Sequence, residues 1–329
     1  MFTREEALRL VEGASADDLF GPAEPDRHPE ARQRYRALVT ALHPDHSGPH
    51  DTRAHAASAD LTRLYDQWRR TRPVVLHTPR GSYTVGTRHA VGSVANVYRT
   101  DRHVVKIVRN PALNPLLHNE WAALRTLRRF TDEHDWLRPY YPELVDTGDV
   151  RRGERAFTVL EPLVDGFVTL ADVRRAFPAG LDGRDWAWMH RRLLRAVAGA
   201  HRAGLVHGAI VADNVLVHPA QHGVVLAGWS FAVEEGQPLP ATAKSITYPP
   251  EVGGPVTAAT DVHMAHALML DMLAPNEKQQ RAFARGCTQD DPARRPDAAA
   301  LLAEYDELLE ELHGARVFRP FALPETTGA

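Results

Sequence analysis

The chain has 329 residues, 43% of them apolar, and a formal net charge of -3. That length and apolar fraction suit one large or two ordinary globular domains and exclude a disordered chain. The near-neutral charge gives no bulk attraction to nucleic acid or anionic lipid, so neither is expected as a partner. The longest apolar runs, such as residues 265–270, fall far short of a bilayer span, so no membrane helix is expected. Residues 1–20 are charged and lack a long apolar stretch, which argues against a secretory signal. The single cysteine, Cys287, permits no internal disulfide; a reduced, cytoplasmic setting is expected.

In chain order, Thr3 caps a helix over residues 3–12, with Ala7, Leu10 and Val11 as its apolar positions. Residues 15–20 suit a second, short helix stopped at Gly21-Pro22. From residue 29 to 42, Tyr35, Leu38, Val39 and Leu42 share one helical face, while Arg32, Arg34 and Arg36 point largely elsewhere. This helix ends at His43-Pro44-Asp45, because proline disfavours a helical residue before it. Leu61, Leu64, Tyr65 and Trp68 then mark a facing helix. By themselves these residues describe a helical hairpin with an HPD turn. The nearby His43, His46, His50 and His55, with Asp45 and Asp51, fit no zinc spacing and include no cysteine, so a solvated loop is expected and no metal site.

The order YRALVTALHPDHSGP followed by LTRLYDQW resembles a J-domain. The resemblance implies that His43, Pro44 and Asp45, with Arg32, Arg34 and Arg36 on the preceding helix, dock on a DnaK-type chaperone and stimulate its ATPase. The chain departs from that pattern in having no aromatic near residues 56–59, which predicts thinner packing there.

Residues 73–80, with Pro73, Pro79 and Gly81 near their ends, read as a linker. Residues 82–88, 94–99 and 104–108 then alternate or run apolar in short lengths, as antiparallel strands do. A helix follows over 115–129, then an irregular stretch over 130–153 and a strand from Phe157 into Glu161-Pro162-Leu163. Residues 185–203 form an amphipathic helix closed by Gly204. The run Leu205-Val206 delivers His207, and 215–217 with 224–227 suit a hairpin. A last helix covers 298–312. The tail 314–329 carries Val317, Phe318, Phe321 and Leu323, which either dock on a lobe or stay in solvent.

Taken in order, Lys106, Glu120, His207, Asn214, Glu251, Asp261 and Arg295 resemble the landmarks of the protein-kinase fold. The expected fold class is therefore α+β: an all-helical J-domain hairpin over 1–72, a linker over 73–80, a kinase-like N-lobe over 81–163, a reduced C-lobe over 164–313 and a tail. The resemblance makes Lys106 a phosphate contact and Glu120 its partner. It makes Glu161 and Leu163 the backbone that faces an adenine, and Asn214 a metal ligand. Of the glycine-loop positions Ala90, Gly92 and Ala95, only Gly92 keeps its glycine, and alanine restricts close approach of backbone to phosphate. Glu251, Asp261 and Arg295 fall on framework positions.

Two acids are missing. His207 opens the catalytic loop, but Ala209 stands where the catalytic aspartate is expected and Gly228 where the metal-binding aspartate is expected. The implied function is a co-chaperone or adaptor: a J-domain that recruits a DnaK-type chaperone, joined to a pseudokinase that binds a protein client. No cofactor is required, and any ATP binding is expected to be weak or independent of metal. The alternative is an unorthodox kinase or nucleotide transferase in which Asp213 supplies a carboxylate from a displaced position.

Overall fold

The computed structural model describes residues 2–21, 28–43, 51–70, 74–85, 88–100, 102–150 and 154–324. The chain divides into two compact units, residues 1–87 and 88–329.

The first unit is built from α1 (Arg4–Val11), α2 (Ala16–Phe20), α3 (His28–Leu42) and α4 (Thr52–Arg70), followed by a hairpin of β1 (Val74–His77) and β2 (Ser82–Val85). Thr3 with Glu6 and Ser15 with Asp18 form reciprocal capping boxes, which satisfy backbone donors at the starts of α1 and α2. The apolar faces of α3 and α4 bury Leu38, Leu42, Leu61, Leu64 and Trp68 together with Leu19 and Phe20. Small Ala57 fills the place where an aromatic was missed. The aromatic packing comes instead from Tyr35 stacked on Tyr65 at 3.9 Å and from Phe20 against Tyr65 and Trp68. The Trp68 indole N–H donates to the Gly21 carbonyl at 2.7 Å, which fixes α4 to the end of α2.

The predicted linker is not featureless. Val74-Val75-Leu76 pairs antiparallel with Tyr83-Thr84-Val85, and Leu76 and Val85 are buried. Pro79 and Gly81 sit in the turn of this hairpin, so the residues read as linker punctuation are its bend. The hairpin also takes the residues expected as the first N-lobe strand.

The second unit opens with a five-stranded antiparallel sheet in the order β3-β4-β5-β7-β6. Its strands are β3 (Arg88–Val91), β4 (Ala95–Arg99), β5 (Val104–Val108), β6 (Leu144–Val150) and β7 (Arg155–Leu160). Helix α5 (Asn114–Glu133) packs on this sheet through Leu117, Leu124 and Leu127. The stretch expected to be irregular over 130–153 contains a 3-10 turn at Asp135–Tyr140 and the edge strand β6. The sequence LVDTGDV hides that strand, because an edge strand with a polar outer face lacks the apolar run of a central one.

The larger layer is mostly helical. It contains β8 (Val168–Thr169), α6 (Leu170–Ala176), α7 (Gly183–Arg202), β9 (Leu205–Val206), β10 (Val215–His218), β11 (Gly223–Leu226), β12 (Val233–Glu234), α8 (Ala258–Met272), α9 (Lys278–Cys287) and α10 (Ala298–His313). Asp182 caps α7, and Gly204 follows its end in a left-handed conformation. Trp186, Leu193, Leu194, Val197 and Ala200 on α7 form the centre of the core, against Val262, Met269, Leu301 and Tyr305. The tail docks in part: Phe321 is buried, stacking on Phe177 at 5.5 Å, and Arg319 pairs with Asp185 at 2.9 Å, while Val317 and Phe318 are exposed. No helix of the described residues is long and apolar enough to cross a membrane.

Candidate functional site

Lys106 lies mid-strand in β5, opposite Val97 on β4 and Thr158 on β7, so its backbone is fixed on both sides. Its ammonium nitrogen lies 2.7 and 2.5 Å from the two carboxylate oxygens of Glu120 on α5. Glu120 is fully buried, and the Ser230 hydroxyl donates a further bond to it at 3.0 Å. Leaving a carboxylate without partners at this depth costs several kcal/mol, and the Lys106 ammonium and the Ser230 hydroxyl supply those partners. Asn119, its neighbour on α5, donates from its amide to the carbonyls of Ser230 and Ala232, at 3.1 and 2.6 Å. The helix is thus stitched to the 3-10 turn Trp229–Phe231 by side chain and backbone together.

Across the cleft, Asp261 near the start of α8 is fully buried and holds the loop after β9. The backbone N–H groups of His207 and Gly208 donate to its carboxylate at 2.6 and 2.8 Å, and the His201 imidazole donates at 3.1 Å. The His207 ring is fixed as one tautomer. Its Nδ1 accepts from the Ala209 N–H at 3.1 Å, so Nε2 carries the proton and donates to the Ala227 carbonyl at 2.9 Å. Burial lowers the His207 pKa below its ordinary value despite the nearby Asp261 charge, and the ring is neutral. Below the loop, Arg295 forms a two-pronged ion pair with Glu251 at 2.6 and 3.1 Å. It also donates to the carbonyls of Ala259, Asp290 and Gln289. Burial opposes ionisation of Glu251, but Arg295 and the Thr260 hydroxyl hold its carboxyl below the usual range.

The positions expected to carry chemistry have a different character. Ala209 is fully buried in one apolar cluster with Val94, Ala95, Val108, Leu117 and Phe231. Gly228 is left-handed, with φ 81° and ψ 41°. A Cβ added to it would lie 2.3 Å from Oδ1 and 2.4 Å from Cγ of Asn214. The Asn214 side chain therefore stands in the space that any side chain at 228 would enter. It is held there by its amide, which donates to the Ala209 carbonyl at 2.8 Å, while the backbone carbonyl of Asn214 accepts from the Ala227 N–H. Trp229 follows, fully buried, edge-on to His207 at 4.5 Å and to Tyr141 at 5.7 Å. Among the described residues, no group of three or more histidine, cysteine, aspartate or glutamate side chains is arranged to hold a metal.

The remaining predicted residues spread over several places. Gly92 makes the turn between β3 and β4, donating to the Ala95 carbonyl at 3.0 Å, and an added Cβ would lie 2.7 Å from that oxygen. Tight turning accounts for this glycine without a phosphate. Glu161 is exposed and uses its N–H on the Glu143 carbonyl, while Leu163 is half-buried just beyond β7. Asp213 is exposed in the 3-10 turn Ala212–Asn214. In the first unit, His43 and Arg32, Arg34 and Arg36 are exposed at the end and along the flank of α3. Pro44 and Asp45 lie outside the described residues. Sequence reasoning missed Ser230, Asn119 and Val94; all act between segments far apart in the chain, and no local spacing marks them.

A five-stranded sheet with an inward lysine bonded to a glutamate on its helix, over a helical layer whose buried aspartate holds a His-bearing loop, defines a protein-kinase-like fold. Among solved structures, the chain is similar to that of vaccinia related kinase 3, with 18% sequence identity and a TM-score of 0.55. The match covers 74% of this chain and 92% of that one, and at this identity the likeness is one of fold. No family model matches the sequence.

Proposed function

We propose that this chain is a non-catalytic adaptor, in which a J-domain-like helical unit recruits a DnaK-type chaperone and the kinase-like unit binds a protein client. The observation that carries the non-catalytic half is the interlock of Gly228 with Asn214. Phosphoryl transfer on this fold needs a carboxylate for the metal and another for the acceptor hydroxyl. Here a side chain at the first position would be strained by its left-handed backbone and would meet the Asn214 amide, and the second is a methyl group sealed in an apolar cluster. The chaperone half is supported by the helical hairpin, with His43 exposed at the end of α3 and Arg32, Arg34 and Arg36 exposed along its flank. No cofactor is required in this reading. ATP binds weakly, without dependence on metal, and the reducing cytoplasm is the setting.

A second reading keeps catalysis and draws its carboxylate from Asp213. The observation that favours it is the complete Lys106–Glu120 pair, which a pure scaffold would not need. A phosphotransfer assay on the whole chain with magnesium or manganese separates the two. No transfer above that of Lys106→Ala is expected; robust transfer abolished by Lys106→Ala would overturn the adaptor. For the chaperone half, the whole chain should stimulate a DnaK-type ATPase, and His43→Gln should remove that stimulation.

A further inference from the structure

Charge is unevenly spread along the second unit. Residues 88–131 contain eight arginines or lysines and two acids, Asp101 and Glu120, in a chain whose net charge is -3. Glu120 is buried against Lys106, so it offsets nothing at the surface. Three of the cations gather at one corner of the sheet. Arg88 lies on the edge strand β3, opposite Tyr98 on β4, and Arg99 follows Tyr98 along β4. Strand spacing and rise place the Arg88 and Arg99 backbones about 6 Å apart. Successive residues leave opposite faces of a strand, so the two side chains bracket the corner. Arg102 stands in the turn into β5, and that turn is fixed by its own hydrogen bonds. The Thr100 N–H donates to the His103 carbonyl at 2.8 Å, and the Thr100 hydroxyl accepts from the N–H groups of Arg102 and His103 at 3.3 and 2.8 Å. All three arginines are exposed, and none of their guanidinium groups has an ion pair or hydrogen bond among the described residues. Exposed arginines elsewhere do: Arg128 pairs with Asp132 and Glu143, Arg175 with Asp172, and Arg53 with Glu12.

We infer that this corner is a docking surface for an acidic segment of a protein client, read by Arg88, Arg99 and Arg102. The inference rests on the client-binding reading of the kinase-like unit proposed above, and it names the chemistry of the contact. Like charges held close together repel, and no described acid pairs with these three, so the cluster favours an anion from outside. Guanidinium groups take carboxylates through two parallel hydrogen bonds, a geometry that an extended run of Asp and Glu supplies. The surroundings select among anions. The register of β3 shifts between Arg88 and Ala90, and such a bulge on an edge strand disfavours strand addition, which leaves recognition to the side chains. A nucleic-acid strand needs open aromatic faces on which its bases stack. Tyr98 is the only Phe, Tyr or Trp on β3, β4 and β5, and it is half-buried. A lipid surface needs an apolar anchor beside the cations. Val91 is the only large hydrophobic residue exposed on those three strands.

The test uses the whole chain and a short fluorescein-labelled peptide of alternating glutamate and glycine, with binding read by fluorescence anisotropy and association by stopped flow. The triple variant Arg88→Glu, Arg99→Glu, Arg102→Glu reverses the corner, and the same three positions changed to Gln only neutralise it. Arg63→Glu is the control, since that exposed arginine is already paired with Asp60. Far-UV circular dichroism checks folding. The parent chain should bind the peptide, and more weakly as salt is raised. The Glu triple variant should slow association about tenfold or more. The Gln triple variant should move it in the same direction by less, and Arg63→Glu should leave it unchanged. If the Glu variant loses its folded spectrum, the Gln variant decides. No binding by the parent chain, or equal binding by the parent and the folded triple variants, would overturn the docking surface. Tighter binding of polyuridylate or of phosphatidylserine vesicles than of the peptide, lost in the same variants, would overturn its assignment to a protein segment. Magnesium-dependent phosphorylation of a serine placed in the same peptide would instead sink the adaptor reading and leave the corner standing.

Discussion

Two parts of the kinase-like unit, the floor of the loop around Asp261 and Arg295 and the metal-loop region around Gly228, differ in what they retain. On the floor, buried charges survive with each of their named oxygens and nitrogens satisfied by main chain or by each other. Around Gly228, a glycine and an alanine stand where the two acids are expected, and the Asn214 amide packs between them. A buried charge is kept where it organises backbone, because removing it strands donors that have no other partner. Around Gly228 the space is filled by packed, uncharged groups instead.

The strongest way to break this contrast is to attack the floor. Asp261→Ala strands two backbone N–H groups and an imidazole, and Arg295→Met strands Glu251 and three carbonyls. Each should lower stability by about 3–5 kcal/mol in denaturant unfolding, since breaking a buried pair leaves the survivor uncompensated. A loss below about 1 kcal/mol would mean that the floor is wet or mobile.

Next comes Gly228→Asp, which restores the expected carboxylate. The positive φ and the encounter with Asn214 should make it cost about 2–4 kcal/mol. It should produce no phosphotransfer, and Asn214→Gly in the same chain should recover part of the loss. That coupling is measurable as a double-mutant cycle. Additive effects would show that the two side chains do not compete for space.

The core beneath α7 offers a test by pH. His190 and His266 are buried and share a hydrogen bond at 3.2 Å. His266 donates from Nδ1 to the Val262 carbonyl, so both rings are neutral. Burial lowers the pKa of both, that of His266 to about 4. Their folded pKa values lie below the unfolded value near 6.5, so the unfolded chain takes up more protons as pH falls. Their contribution is complete above about pH 6.5 and is lost progressively as pH falls toward 4. Melting temperature should decline over that window, and His266→Gln should flatten the decline. The smallest effect is expected from Ser230→Ala, which removes one of the three bonds to Glu120. A loss of about 1–2 kcal/mol should accompany it, with no change in fold.

The outline of both units was legible in the sequence because it rests on local periodicity. Tyr35, Leu38 and Leu42 on one helical face, or the apolar run through β5 that carries Lys106, report their burial through spacing alone. The pairing of Lys106 with Glu120 and of Arg295 with Glu251 was legible as an ordered set of landmarks. Strand β6 was not, because Asp146, Gly148 and Asp149 break the apolar pattern at a sheet edge. Strand β1 was not, because the bend of its hairpin looks like the end of a linker. The packing of Ala241, Ala243 and Ile246 against the cluster around Ala209 and the interlock of Asn214 with Gly228 depend on which side chains meet across the fold and on a left-handed φ. Neither leaves a trace in spacing.

The crowding at Gly228 also bears on how such a chain can change over generations. A lone mutation that brings an acid to this position meets a steric barrier before it can confer any benefit, and a lone mutation at Asn214 removes a clamp on the loop for no gain. Only the two together open a path, so the arrangement works as a ratchet: a glycine at this locus is easier to acquire than to replace.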